Sequence, residues 1–385
     1  MRPHLDFDVV VVGAGPVGAS LAAALRGLRV ALVGADAMPA RAAGEALDAR
    51  VYAVSPGNVD FLRRLGAWQS VPQERVCPVY AMHVFGDDGA RIDFDAYRAG
   101  VEALAWIAED AVLQAALGAS AAAELFAPAE AASIELGAEH AALRLGDGRV
   151  LHAALVVGAD GARSFVRRAA GIAAADASYG QTAVVANFAC ARPHRNAAWQ
   201  WFQGGPVLAL LPLPGARVSM VWSLPETQAE RVARLEPDRL CAEVEAATHG
   251  VVGSLSLVTA PRSFALRRLR SRKIVAPRVA LVGDAAHVIH VLAGQGLNLG
   301  LQDARVLAEI LLAREPVRSL GDPALLRRYE RRRAEPVLAM DSVVHGLFRL
   351  FGAPGPAAAR LRSNGLNLTD RLAVVKNLLI REAMR

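Results

Sequence analysis

Short apolar runs closed by glycine set the rhythm of this chain. Residues 8–12, DVVVV, have the length and β-branched content of a buried parallel strand. GAGPVG (13–18) follows at once and opens an Ala/Leu-rich stretch that predicts a helix to about Arg26. Val30 to Val33 predicts the next strand, so the three elements form a β-α-β unit of about 30 residues. In that context each glycine has a job: Gly13 makes the tight turn, Gly15 admits a pyrophosphate to the backbone, and Gly18 lets helix and strand pack closely. The helix N-terminus presents unpaired N–H groups to phosphate.

Alternation then takes over from continuous apolar runs. Ala81 to Phe94 predicts a hairpin turning on Gly86-Asp87-Asp88-Gly89. Ser133–Leu136, Ala141–Leu145 and Val150–Val157 predict a meander that runs into Gly158-Ala159-Asp160-Gly161. A second sheet region covers roughly 179 to 270, with Pro214-Gly215 turning between Val207–Leu213 and Val218–Leu224. Val279 to Val282 is another buried strand, ending in Gly283-Asp284. A glycine loop follows and opens an amphipathic helix with Leu297, Leu301, Ala304, Ala308 and Leu311 on one face. The nucleotide-binding domain is therefore expected in pieces, 1–76, 102–175 and 273–340. A substrate-side sheet domain, 77–101 and 176–272, is inserted between them, and 341–385 forms a C-terminal helical segment.

Composition narrows the classes. At 385 residues with 54% hydrophobic content the chain can bury a large core, yet Gly, Arg or Asp breaks every apolar run. None reaches the roughly 20 residues a bilayer span requires. MRPHLDFDVVVVG carries acids where a secretory signal is basic, so the expected location is cytoplasmic. Cys77, Cys190 and Cys241 are scattered without pairing, which disfavours disulfides and a metal site. The net charge of +6 comes almost wholly from arginine and favours anionic partners. Nucleic acid is excluded from them, because aromatics make up only 5% and no basic block alternates with stacking residues.

Three sites recur at predicted strand ends: Gly13–Gly18, Gly158–Asp160–Gly161 and Gly283–Asp284. Ligands of open parallel sheets lie beyond the carboxyl ends of strands, so the three can converge on one extended cofactor. With "GQGLNLG" at 294 to 300 they resemble the flavoprotein aromatic hydroxylases, which bind FAD by GxGxxG, DG and GD motifs. Further segments are similar to one family, the ubiquinone-biosynthesis hydroxylases of the class A monooxygenases. They are "DARVYAVSPGNVDFLRRLGAW" (48–68), "EALAWIAEDAVLQAAL" (102–117, matching the family's helix entering the cofactor domain), "GADGARSFVR" (158–167), "AWQWFQGGPVLALLPLPGARVSMVWS" (198–223) and "RSNGLNLTDRLAVVKNLLIREAM" (362–384).

The resemblance implies an α/β fold: a Rossmann-like FAD-binding domain of the para-hydroxybenzoate-hydroxylase type, an inserted mostly antiparallel β-sheet substrate domain, and C-terminal helices. It implies FAD as cofactor, NAD(P)H as reductant, and oxygen transfer to the ring of a polyprenylated phenol on the way to ubiquinone. The implied FAD contacts are Gly13, Gly15, Gly18, Arg50, Asp160, Gly161, Gly283, Asp284, Gly294, Gln295, Gly296 and Asn298. Asp284 would accept from ribityl hydroxyls, and the helix N-terminus at 294–296 would stabilise an anionic reduced flavin. The implied partners are a hydrophobic phenolic small molecule, a ubiquinone-biosynthesis protein complex, and peripheral contact at the inner face of the membrane.

Two positions depart from the family. Gly34 stands where a Glu binds the adenosine ribose; Asp36 is the nearest substitute, about 6–7 Å further along an extended strand, and reaches the ribose only if the chain bends back, with a solvated turn residue as the competing reading. Val291 replaces a proline in "HVIHVLAGQG" (287–296), which frees φ and adds an N–H. Gly34 predicts weaker FAD binding and Val291 a less rigid loop; both touch cofactor contacts and keep open a degenerate accessory protein that binds lipid or quinone intermediates. A soluble aromatic hydroxylase of the same fold is the other alternative, whereas a flavin halogenase would need a WxWxIP stretch that is absent. No catalytic base is evident. His287 and His290 are weak acid-base candidates, with hydrogen bonding to the loop backbone as the competing reading. Trp199, Trp201 and Phe202 either line a substrate pocket or pack in the core. Val343 to Phe351, "VVHGLFRLF", either meets a membrane or partner or packs inward.

Overall fold

The computed structural model describes residues 5–37, 47–86, 89–290 and 294–353. Five strands form the parallel heart of the first sheet. In spatial order they are Val279–Leu281, Val150–Gly158, Phe7–Val12, Val30–Val33 and Glu124–Phe126. Parallel strands buried on both faces should be continuously apolar, and Val9, Val10 and Val11 are indeed fully buried. The predicted meander is present as Ala131–Leu136, Ala141–Leu145 and Val150–Gly158, paired antiparallel.

The second sheet has nine strands and is almost wholly antiparallel. Its long members are Ala174–Cys190, Arg217–Pro225 and Arg262–Ser271. One pair is parallel: Ala197–Phe202 runs beside Ala81–Phe85, which joins the early hairpin to the later strands. That hairpin pairs Ala81–Phe85 with Arg91–Asp95 as predicted; Asp87 and Asp88 of its turn lie outside the described residues. A small third sheet, Val51–Val54, Ala105–Glu109 and Val76–Val79, lies between them in sequence.

The structure corrects one element. The segment 102–117, expected as a helix, is strand over Ala105–Glu109 and helix only from Asp110 to Ser120. Trp106 and Ile107 favour a pleated surface, and Ile107 is buried between two flanking strands.

Strand periodicity decides the role of the aromatic run at 199–202. Trp199 and Trp201 share one face and pack with Phe188, Leu208 and Trp222 under the helices Glu226–Ala233 and Pro237–Ala247. Phe202 points to the opposite face, toward the last helix, Pro323–Gly352, where it stacks on Phe351 at 3.8 Å. Only Phe202 of the three therefore faces that helix. Along "VVHGLFRLF", Val344 and Phe351 are buried, while Val343 and Leu347 are exposed.

Candidate active site

Three glycine turns lie side by side because their strands are neighbours. Val12 pairs with Gly158, and Gly158 with Leu281. Backbone bonds then stitch the turns together: Gly13 N–H donates to Val33 O (2.8 Å), Ala159 N–H to Val12 O (2.7 Å) and Val282 N–H to Gly158 O (2.9 Å). Gly13 takes φ +114°, and a Cβ there would sit 2.2 Å from Ala159 O. A Cβ on Gly18 would come within 1.9 Å of Gly13 O. These two glycines are required by packing. Gly15 is different: its φ is −68° and a Cβ would meet nothing within 4 Å, so its backbone faces open space.

The two acids of the later motifs behave unlike ordinary surface carboxylates. Asp160 Oδ2 accepts from Val166 N–H at 3.1 Å, while Oδ1 is buried with no partner. Asp284 is exposed, yet enough protein surrounds its carboxyl to push it above the usual range, against the pull of His287 and Arg50. The carboxyl is open to solvent on one side and crowded by protein on the others, which disfavours its charged form.

Arg50 senses that same acid electrostatically. Its guanidinium lies 5.2 Å over the Tyr52 ring, 5.6 Å over Phe264 and 3.8 Å from Asp110. Burial opposes the charge, but Tyr52, Asp110, Asp284 and Asp48 together outweigh it and raise the pKa.

The helix Gly296–Leu312 packs against the Gly283–Ala285 turn and begins without a side-chain cap, which leaves its first N–H groups available. Gly294 adopts φ +59°, and a Cβ on Gly296 would meet open space. Asn298 was expected to touch the cofactor, but its amide is committed within the protein. Oδ1 accepts from Ser55 N–H (2.9 Å) and Asn58 Nδ2 (3.1 Å), and Nδ2 donates to Ala53 O (2.9 Å). It positions the helix start against the segment after Arg50.

His287 and His290 are each bonded to a side chain on another segment. His287 Nε2 lies 2.7 Å from Asp303 Oδ2, and His290 Nε2 lies 3.2 Å from Gln181 Oε1. Burial pushes His290 down to about 4, so it is neutral at physiological pH. Asp303 is a hub that sequence reading missed. It also accepts from Gly283 N–H (2.9 Å) and Arg333 Nε (2.5 Å), and it is completely buried. Burial would raise its carboxyl, but His287 and Arg333 more than offset this and hold it below the usual range. Arg167 was missed too: Nη1 donates to Ala285 O (2.8 Å) and Nη2 to Ala162 O (2.7 Å), locking the second motif to the third. An acid on the buried face of an apolar helix was the signal for Asp303. Arg333 hid in a run of arginines.

Asp36 is exposed at the end of Val30–Val33. Gly34 is buried, and a Cβ there would lie 2.8 Å from Ala14 Cβ. Val291 lies outside the described residues. A recess of about 500 Å³ opens elsewhere, beside His83, Trp199 and Arg192, and shares no residue with the glycine turns.

A family model described as an FAD binding domain matches residues 6–341. The chain belongs to that family. It is 35% identical to a ubiquinone hydroxylase of Rhodospirillum rubrum, over 98% of this chain and 89% of that one. It is 31% identical to the 3-demethoxyubiquinol 3-hydroxylase of Escherichia coli, over 98% of both. Its fold is that of a probable FAD-dependent monooxygenase of Pseudomonas aeruginosa, with a TM-score of 0.76 at 24% identity over 94% of this chain and 99% of that one. The site fits the cofactor on its own evidence. An open glycine backbone, an unpartnered Asp160 oxygen and a desolvated Asp284 face the place where the three strands end.

Proposed function

We propose that the protein is an FAD-dependent monooxygenase that uses NAD(P)H and O2 to hydroxylate the aromatic ring of a polyprenylated phenol in ubiquinone biosynthesis. The observation that carries this reading is the joining of three glycine turns at adjacent strand ends in a chain of the FAD-binding family. FAD, when bound, would supply the redox chemistry that couples NAD(P)H and O2 to ring hydroxylation, with water as the second product. The chain's own residues bind and orient. Gly15 and the helix behind it hold the pyrophosphate, Asp284 the ribityl chain, and the Gly294–Gly296 turn places a positive helix end where negative charge develops. Arg50 and Asp160, with Gly161, close the sides. Asp303 and Arg167 keep the turns in register.

The FAD-binding domain is assigned to 1–76, 102–175 and 273–340, and the substrate domain to 77–101 and 176–272. No helix among the described residues is long and apolar enough to cross a membrane. Exposed Val343 and Leu347 beside Arg349 fit peripheral contact at a membrane that holds the prenylated substrate.

The test is the visible spectrum of the purified protein, with FAD quantified after heat release and bleaching by NAD(P)H followed under argon. About one FAD per chain, bleached by NAD(P)H, is expected. A colourless protein that added FAD cannot saturate would overturn the enzyme reading in favour of an accessory lipid-binding protein.

A further inference from the structure

Beyond the flavin turns, one cluster of buried polar groups has no work within the protein. The Tyr179 hydroxyl and His345 Nδ1 are both buried without any hydrogen-bond partner. A buried polar atom left unpaired is costly, so two in one cluster call for a missing partner. Their rings lie 6.0 Å apart, and both pack on Phe348, at 4.6 Å from Tyr179 and 6.5 Å from His345.

The backbone explains why Tyr179 points this way. Pairing of Ala174–Cys190 with Arg262–Ser271 slips between Ser178 and Thr182, and Gly180 takes φ +65°. Such an irregularity re-aims a side chain out of the regular alternation. Tyr179 consequently meets the His290 ring edge-on at 4.6 Å, two residues beyond the strand His287–Val288 that follows the Gly283-Asp284 turn. The cluster therefore sits at the substrate-sheet edge next to the cofactor turns. Its surroundings are apolar: Phe202, Ile289, Leu299, Val344 and Phe351 form one packed group with Phe348 at its border.

Of the nearby charges Arg268 and Asp341 match each other, while Arg349 acts on His345 alone. Arg268 makes a bidentate pair with Asp341 at 2.9 and 2.6 Å, so neither competes for the hydroxyl. Burial raises the Tyr179 hydroxyl above its ordinary range, and burial with Arg268 lowers His345. Both groups are thus neutral near pH 7. A tyrosine O–H can donate and accept, and a neutral imidazole nitrogen can do either according to its tautomer. A phenolic O–H, which donates one proton and accepts another, supplies the kind of partner that both lack.

We propose that the Tyr179 hydroxyl and His345 Nδ1 bind the phenolic oxygen of the substrate, while Phe348 and the Phe202 group hold its ring and apolar substituent. This rests on the hydroxylase reading above and adds to it the residues that recognise the substrate's polar end. A site built to hydrogen-bond a hydroxyl rejects the analogue that lacks it far more strongly than an apolar pocket does.

The experiment titrates FAD-loaded protein with 2-geranylphenol and with geranylbenzene, reading the perturbation of the flavin spectrum. Wild type is expected to bind the phenol at least about tenfold more tightly. Tyr179→Phe should bring the two ligands within about twofold, with FAD content and melting temperature unchanged, since the hydroxyl has no partner to lose; His345→Phe should act in the same direction. Undiminished preference in Tyr179→Phe would overturn the proposal. So would a lowered melting temperature in that variant, because the hydroxyl would then have a structural partner. If FAD-loaded wild type responds to neither ligand, the prenylphenol reading itself falls, and this assignment with it.

Discussion

Gly15 and Gly18 share one turn, yet a methyl group has opposite consequences at the two. At Gly18 it would press to 1.9 Å from Gly13 O, whereas at Gly15 it enters open space on a backbone that alanine adopts freely. Gly15→Ala should therefore leave the FAD-free protein as stable or more stable, by about 0.4–1 kcal/mol. It should weaken FAD binding by about tenfold or more, because the methyl occupies the pyrophosphate's approach. Gly18→Ala should instead lower the stability of the FAD-free protein itself. Denaturant melts of stripped protein alongside FAD titration separate the two cases. Gly34 shows the limit of reading one residue at a time. Its lack of a carboxylate is legible, but the sequence does not show that Ala14 Cβ would lie 2.8 Å from any side chain placed there. The glycine is fitted to its neighbours, so restoring an acid means moving Ala14 as well.

At the scale of the element, the helix Gly296–Leu312 illustrates what periodicity reveals and what it hides. Of its predicted apolar stripe Leu301, Ala304, Ala308 and Leu311 are buried, and Leu297 in the first turn is partly buried. Asp303 occupies the same buried side and binds Gly283 N–H, His287 and Arg333 together. Replacing only the carboxylate strands a buried guanidinium, a loss of about 3–5 kcal/mol. Asp303→Asn should show that loss in equilibrium unfolding. Because Gly283 N–H loses its charged acceptor as well, FAD affinity should fall in the same variant. The strand Ala197–Phe202 makes the complementary point. Its composition suggests one aromatic patch, but a period of two sends Trp199 and Trp201 to one face and Phe202 to the other.

For the molecule as a whole, pH reports how the second sheet and the last helix close over His290. This imidazole is about 1% exposed and held down to about 4, below its ordinary 6.5. Between those values the unfolded chain takes up a proton that the folded protein refuses, so stability falls as pH drops from 6.5 toward 4 and is fully present above 6.5. At 1.36 kcal/mol per pH unit the loss comes to about 3 kcal/mol. His290→Gln removes the titration and should flatten the difference between melts at pH 7 and pH 4.5. A variant with the wild-type slope would show that His290 is not what the fold excludes from protonation.

The sequence by itself determined the parallel strands, the glycine turns that end them and the cofactor family, because those depend on local periodicity and on backbone space that only glycine allows. Tertiary structure decided the rest. Asn298, His287 and His290 look like site chemistry in the sequence, but each is bonded to a residue on another segment. Asp303 and Arg333 lie 30 positions apart and meet only when two helices pack. Tyr179 and His345 come together across a slipped strand and the last helix. Hydrogen bonds between distant segments follow from packing geometry, and a linear pattern of apolar and polar residues carries no record of them.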